Sequence, residues 1–181
     1  MTGKRAARPR AETVFRGRVF TVRRHTLVEP GGVPAVREVI HHRGSAVILP
    51  CLPGGRIVLI RQFRLAARSS LWELPAGSID AGESARQTAR RELEEETGYR
   101  SSQWRKLVEF YPSPGFLDER MTLFLAANVL PGAPRPEADE RILVRSFRLS
   151  ELLGMISSGR IRDGKTLVGL LYWSRFRARA R

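Results

Sequence analysis

Residues 77–99 read GSIDAGESARQTARRELEEETGY, and this stretch decides more about the chain than any other. Ser84 followed three residues later by Gln87 has the spacing of a capping box, and Gly98 suits the left-handed position that closes a helix. A helix is therefore expected between those two marks. At about 100° per residue, Glu92, Glu95 and Glu96 fall within one arc of about 100°, while Glu94 points away, between Arg90 and Arg91. Carboxylates sharing a helix face repel, each like-charge i,i+4 pair costing ~0.2–0.5 kcal/mol. These also crowd the last turns, where the helix dipole disfavours negative charge. Arg91 is one charge against three, so a divalent cation is expected, and oxygen-only donors suit Mg²⁺ or Mn²⁺ rather than zinc. Without its flanks the EEE run would read as an ordinary solvated acidic face.

Outward from that helix the chain alternates strands and turns. Residues 1–12 and 176–181 are expected to be basic tails, the first of them disordered. Between Val14 and His42, VFRGRVFTV and VREVIHH alternate as strands do, with a turn at Pro30-Gly31-Gly32. Apolar strands are expected at 45–49 and 56–63, a short extended piece at 72–74, and further strands near 104–110, 121–127 and 142–147. Helices are expected over 149–157 and 165–175. This order implies an α+β chain: a strand extension over 13–43, then a domain over 44–175 with a mixed sheet flanked by helices.

Composition narrows the class. With 181 residues, 42% apolar and 28% charged, the chain has the make-up of a soluble globular protein with one sizeable core. No apolar run reaches the roughly 18–20 residues of a membrane span, and no apolar segment follows MTGKRAARPR as in a signal peptide, so a cytoplasmic location is expected. The lone Cys51 lies in AVILPCL and reads as a core residue. The net charge is +14, from 32 basic residues against 18 acids, and all but three of the basic residues are arginines. Such a field attracts anions, nucleic acid included. The basic residues gather at both termini without the aromatic interleaving of an RNA-stacking motif, so nucleic acid is not expected as a specific partner.

The spacing around the helix is more specific than its charge. Gly77, five residues, Glu83, seven residues, Arg91-Glu92-Leu93, one residue, Glu95-Glu96, one residue, then Gly98 and Tyr99 resemble the Nudix box at every specified position, with an aromatic Tyr99 where an aliphatic residue is commoner. GRVFTVRRHTL, REVIHHRGSAVILP, VLIRQFRLAARSSLWELPAG, SPGFLDE and IRDGKTLVGLLYW extend the similarity over roughly residues 14–175, and all resemble the ADP-ribose pyrophosphatase branch of that family. The resemblance implies a Nudix-type α/β/α sandwich with an added N-terminal antiparallel extension.

It also implies roles. The Ala76 carbonyl and the carboxylates of Glu92 and Glu96 would bind metal, with Glu95 sharing the site and serving catalysis. Arg91 would hold those carboxylates, and Glu83 would support the junction of loop and helix. Arg64 and Glu73 would meet the substrate, the latter on its adenine side. Pro114, fifteen residues after Tyr99, and Gly115 would line the substrate pocket; locally, SPG is also simply a good turn. The loop PRPEADER would deliver a further catalytic glutamate, Glu140, with Glu137 and Asp139 as alternatives. Glu96, read as an exposed ligand, should contribute little to the core. His41 and His42 read as strand residues, since oxygen donors already account for the metal.

The implied reaction is in-line attack of water on a diphosphate, ADP-ribose giving AMP and ribose 5-phosphate. Some relatives stack adenine on tryptophan from an N-terminal region exchanged across a homodimer; here that region offers Phe15, Phe20 and His25 but no Trp. A homodimer is expected, and base preference stays open. The rivals are a nucleotide-sugar pyrophosphatase with the same site, a nucleotide-binding sensor that does not cut, and a hydrolase of RNA 5′ ends.

Overall fold

The computed structural model describes residues 10–132 and 142–176. The chain divides into two compact units, one joining Met1–Gly44 with Tyr111–Arg120 and the other joining Ser45–Phe110 with Met121–Arg181.

The first unit is built on the antiparallel strands β1 (Arg10–Arg16), β2 (Thr21–Glu29) and β3 (Val33–His41), in that order. Gly31 and Gly32, both at positive φ, make the turn between β2 and β3. β1 begins inside the stretch expected to be tail, because Arg10 pairs with Thr26 across the sheet and Glu12 meets Arg24 at 3.2 Å. Residues 111–120 join this unit through the backbone, where the Ile40 N–H donates to the Phe116 carbonyl and the Asp118 N–H to that of Ile40. His41 Nδ1 lies 2.6 Å from Asp118, and its Nε2 lies 3.1 Å from the Nε2 of His25. Both histidines are thus engaged within the sheet.

The second unit holds the remaining elements: β4 (Ser45–Pro50), β5 (Ile57–Arg64), β6 (Ser69–Glu73), β7 (Ala76–Ser78), α1 (Ala85–Thr97), β8 (Tyr99–Arg100), β9 (Gln103–Phe110), β10 (Met121–Ala127), β11 (Leu130–Pro131), β12 (Leu143–Phe147), α2 (Leu149–Ser157) and α3 (Gly164–Phe176). One sheet has the order β7-β4-β10-β9, with β4 and β10 parallel and the other pairs antiparallel, so it is mixed. A second sheet, β12-β5-β6, is antiparallel, and β11 pairs with β8. β6 starts earlier than the short extended piece read from the sequence. A 3-10 turn at Leu65–Ala67, closed by Arg68 at φ +47°, reverses the chain so that Ser69 returns opposite Arg64.

Strand periodicity explains the layers, since alternate side chains leave opposite faces. Val47, Leu49, Ile57, Leu59, Leu123 and Leu125 join one core cluster with Leu152 and Met155 of α2 and Leu170 of α3. Their neighbours Ala46, Ile48, Val58, Phe124 and Ala126 join another, with Ala89 and Leu93 of α1. Helices therefore cover both faces, giving an α/β/α sandwich. Cys51 is buried in the first cluster, and burial pushes its thiol up to about 12. No helix among the described residues is long and apolar enough to cross a membrane.

Candidate active site

Local sequence sets the helix that carries the acids. Ser84 caps α1: its hydroxyl accepts the Gln87 N–H at 3.3 Å, and the Gln87 side chain accepts the Ser84 N–H at 2.9 Å. Gly98, at φ 70°, closes the other end. Ala89 and Leu93, fully buried, fasten one side of the helix to the sheet. The acids are then fixed by that anchoring as much as by each other.

Arg91 is their centre. Its Nε and Nη2 each lie 3.1 Å from an oxygen of Glu83, a bidentate grip. Its Nη1 reaches Glu92 at 2.7 Å and Glu95 at 2.9 Å, so one nitrogen holds both carboxylates in one place. Asp80 lies 3.5 Å from Nη2. The hydrogen bond to Glu83, with Glu92 and Glu95 behind it and against the effect of burial, raises the guanidinium pKa further above its ordinary value. In return the Arg91 and Thr88 hydrogen bonds hold the Glu83 carboxyl down at about 2. Glu94 lies off this cluster and pairs with Arg100 at 2.9 Å.

Glu96 departs from the exposed ligand read from the sequence. It is 7% exposed, and its Oε2 accepts the Ala76 N–H at 2.9 Å, because β7 runs against this end of α1. Gly77 is equally constrained, since a Cβ there would sit 1.8 Å from Glu92 Oε1. A bare backbone at 77 is what lets the Glu92 carboxylate lie against β7.

A second charged group joins Arg64, the last residue of β5, to Glu73, the last residue of β6. Arg64 donates Nε to Glu73 Oε1 at 2.8 Å and Nη2 to Oε2 at 2.7 Å. The Lys165 ammonium makes a short contact with the same Oε2. Burial alone would push the Glu73 carboxyl up; the Arg64 hydrogen bond and the Lys165 charge outweigh it and hold the carboxyl below the usual range. Glu73, expected to meet the substrate, is 1% exposed, and both of its oxygens are engaged by cations of its own chain. Arg64 remains 42% exposed on its side chain. On the same face of β5, the buried Nε2 of Gln62 has no hydrogen-bond partner among the described residues. Nothing in the periodicity singles out Lys165. The available signal was a lysine in a first helical turn, where the dipole opposes it.

Pro114 and Gly115 lie in the first unit, in a turn where the Phe116 and Leu117 N–H groups donate to the Ser113 carbonyl. Glu137, Asp139 and Glu140 lie outside the described residues.

The donor chemistry around Arg91 fits a hard divalent cation: carboxylate oxygens only, two of them gathered at one nitrogen. In the arrangement seen, Arg91 and the Ala76 N–H engage these carboxylates, and no three His, Cys, Asp or Glu side chains among the described residues are grouped as a metal centre.

The NUDIX domain matches residues 41–167. An ADP-ribose pyrophosphatase of Bacillus subtilis (strain 168) is 35% identical over 163 residues, 89% of this chain and 88% of that one. An ADP-ribose pyrophosphatase of Mycobacterium tuberculosis (strain ATCC 25618 / H37Rv) is 36% identical over 166 residues, 89% of this chain and 79% of its own. Among solved structures, an ADP compounds hydrolase superposes with a TM-score of 0.82 over 99% of this chain and 100% of that one, at 24% identity, a likeness of fold.

Proposed function

The chain belongs to the Nudix family of hydrolases, and from that premise we propose that it cuts the diphosphate of ADP-ribose, giving AMP and ribose 5-phosphate. The observation that carries this reading is the Arg91-centred set of carboxylates on the box helix, in a chain 35% identical to an ADP-ribose pyrophosphatase over most of both lengths. Nudix hydrolases in general use divalent metal ions, and Mg²⁺ is the ion proposed here, with Mn²⁺ able to replace it. Glu92, Glu95 and Glu96, with the Ala76 carbonyl, are the residues that would hold it. Bound there, it supplies neutralisation of phosphoryl charge and a lower pKa for the attacking water.

The chain's own groups do the rest. Arg91 keeps Glu92 and Glu95 side by side, and Glu83 keeps Arg91 in place. Arg64 offers its exposed edge to the anionic substrate, and Glu73 orients Arg64 from beneath. A glutamate takes the proton of the attacking water, either Glu95 or the acid of the loop that carries Glu140. Pro114 and Gly115 remain proposed as pocket residues. A homodimer belongs to the same reading. It is supported by the apolar side chains exposed in the first unit, among them Val14 at 50%, Phe15 at 52% and Val36 at 51%. Sedimentation of active enzyme at 20.4 kDa would contradict that assembly.

The test is a panel of ADP-ribose, nucleotide sugars and 5′-triphosphate RNA, each with Mg²⁺ and with excess EDTA. ADP-ribose should be cut with the highest kcat/KM, and EDTA should abolish turnover. Preference for a nucleotide sugar or for RNA would overturn the substrate, and full turnover in EDTA would overturn the metal.

A further inference from the structure

Lys165 stands where an ammonium is poorly placed. It lies in the first turn of α3, whose N-terminal end carries partial positive charge, yet its side chain is only 9% exposed. Two carboxylates compensate, Glu73 by a short contact and Asp163 at 3.1 Å. Together with Arg64 these form one chain of charges, Asp163–Lys165–Glu73–Arg64, two acids against two cations.

The two ends of that chain differ. Asp163 is tied to the fold: its Oδ2 accepts the Thr166 N–H at 3.0 Å and the Thr166 hydroxyl at 2.6 Å. The same hydroxyl accepts the Leu74 N–H at 2.7 Å, so the start of α3 is pinned to the backbone just beyond β6. Arg64 is the open end. Glu73 engages its Nε and Nη2, and its Nη1 makes no hydrogen bond among the described residues. A guanidinium carries five donors in a rigid fork, so fixing one edge aims the other.

We propose that Lys165 is a positioning residue for substrate binding, acting through Glu73 to orient Arg64 and to leave its positive charge available to the substrate's phosphates. The inference rests on the reading that Arg64 meets the substrate. Two effects follow from the geometry. Lys165 holds Oε2, the oxygen that Arg64 Nη2 also reaches, and is itself held by Asp163, so the Arg64–Glu73 pair cannot swing as a unit. It also shares Glu73's single negative charge. Without it Arg64 and Glu73 would form a neutral pair, and Asp163 would add an uncompensated anion nearby.

The experiment is a double-mutant cycle on the full-length enzyme, using whichever substrate of the panel the wild type cuts best. K165M should raise KM about tenfold or more and leave kcat within about threefold, because Glu92, Glu95 and Glu96 are untouched. R64Q should raise KM at least as much, and adding K165M to R64Q should raise it no further. A normal KM in K165M beside a raised KM in R64Q overturns the role of Lys165 alone. A normal KM in R64Q overturns the placing of Arg64 at the substrate, and with it the premise. Independent, multiplying effects would mean that Lys165 does not act through Arg64, which also overturns the proposal. If K165M does not fold by circular dichroism, K165Q, which removes the charge while keeping a donor, takes its place: KM should still rise, by less than in R64Q, and a normal KM beside a raised one in R64Q overturns the proposal.

Discussion

The two charged clusters of the second unit are mirror images. Around Arg91, one cation serves four acids, Asp80, Glu83, Glu92 and Glu95, and the group is partly open to water. Around Glu73, one acid serves two cations and is buried to 1%. Counted over these ion pairs of the described residues, the first holds more acids than cations and the second, with Asp163, is balanced. Unbalanced acids near the surface are what a cation-binding site needs, because water keeps the excess charge tolerable until the cation arrives. A buried cluster has no such relief and must balance itself, since an unpaired charge there costs several kcal/mol. The first cluster is thus suited to bind something, and the second to hold something still.

The difference can be broken most directly through stability. Glu73→Ala removes the buried acid and leaves Lys165 with Asp163 alone. Breaking a buried pair costs ~3–5 kcal/mol, roughly 6–20 °C in Tm for a chain of this size. Glu83→Ala takes an acid from the open cluster, where both partners keep a quarter or more of their side chains exposed, and should cost less than ~1 kcal/mol. Thermal melts of the two variants check this, and similar losses would mean that the clusters do not differ as described.

Activity sharpens the contrast. Glu96→Gln keeps an oxygen to accept the Ala76 N–H, so Tm should change by no more than a few degrees, yet kcat under saturating Mg²⁺ should fall about 10²-fold or more, ~2.7 kcal/mol in barrier. Near-normal kcat would remove Glu96 from the proposed metal ligands.

The smallest effect is a pH dependence. Glu83's folded pKa is lowered to about 2 from an ordinary 4.5, so its stabilising contact is fully present above about 4.5 and is lost as pH falls through about 2. In metal-free buffer, stability curves of wild type and Glu83→Gln should lie a constant small distance apart at neutral pH and converge over that window. A gap unchanged from pH 5 to pH 2 would show that Glu83 keeps no lowered pKa.

How far the sequence could be read follows from where each signal lives. The bounds of α1 were legible because Ser84, Gln87 and Gly98 act within the helix's own turns. β4 and β10 were legible as short, nearly continuous apolar runs, because both of their faces are buried. Glu96 was misjudged as exposed because its burial comes from β7, twenty residues back in the chain. That Glu73 is buried and held by Lys165 was not legible, because the lysine lies 92 residues further on and no local pattern connects the two.

By itself, then, the sequence determined the helix with its caps, the acids on it, the family and the layered class, because each depends on spacing within a few turns or on strand periodicity. Only the tertiary structure decided which acids stay open and which are spent inside the protein. Arg91 gathers Glu83, Glu92 and Glu95; Ala76 takes Glu96; Lys165 and Arg64 share Glu73. The physical reason is that a carboxylate's fate is set by its burial and by the nearest cation or N–H group, and the elements that supply these meet only when the sheets and helices pack.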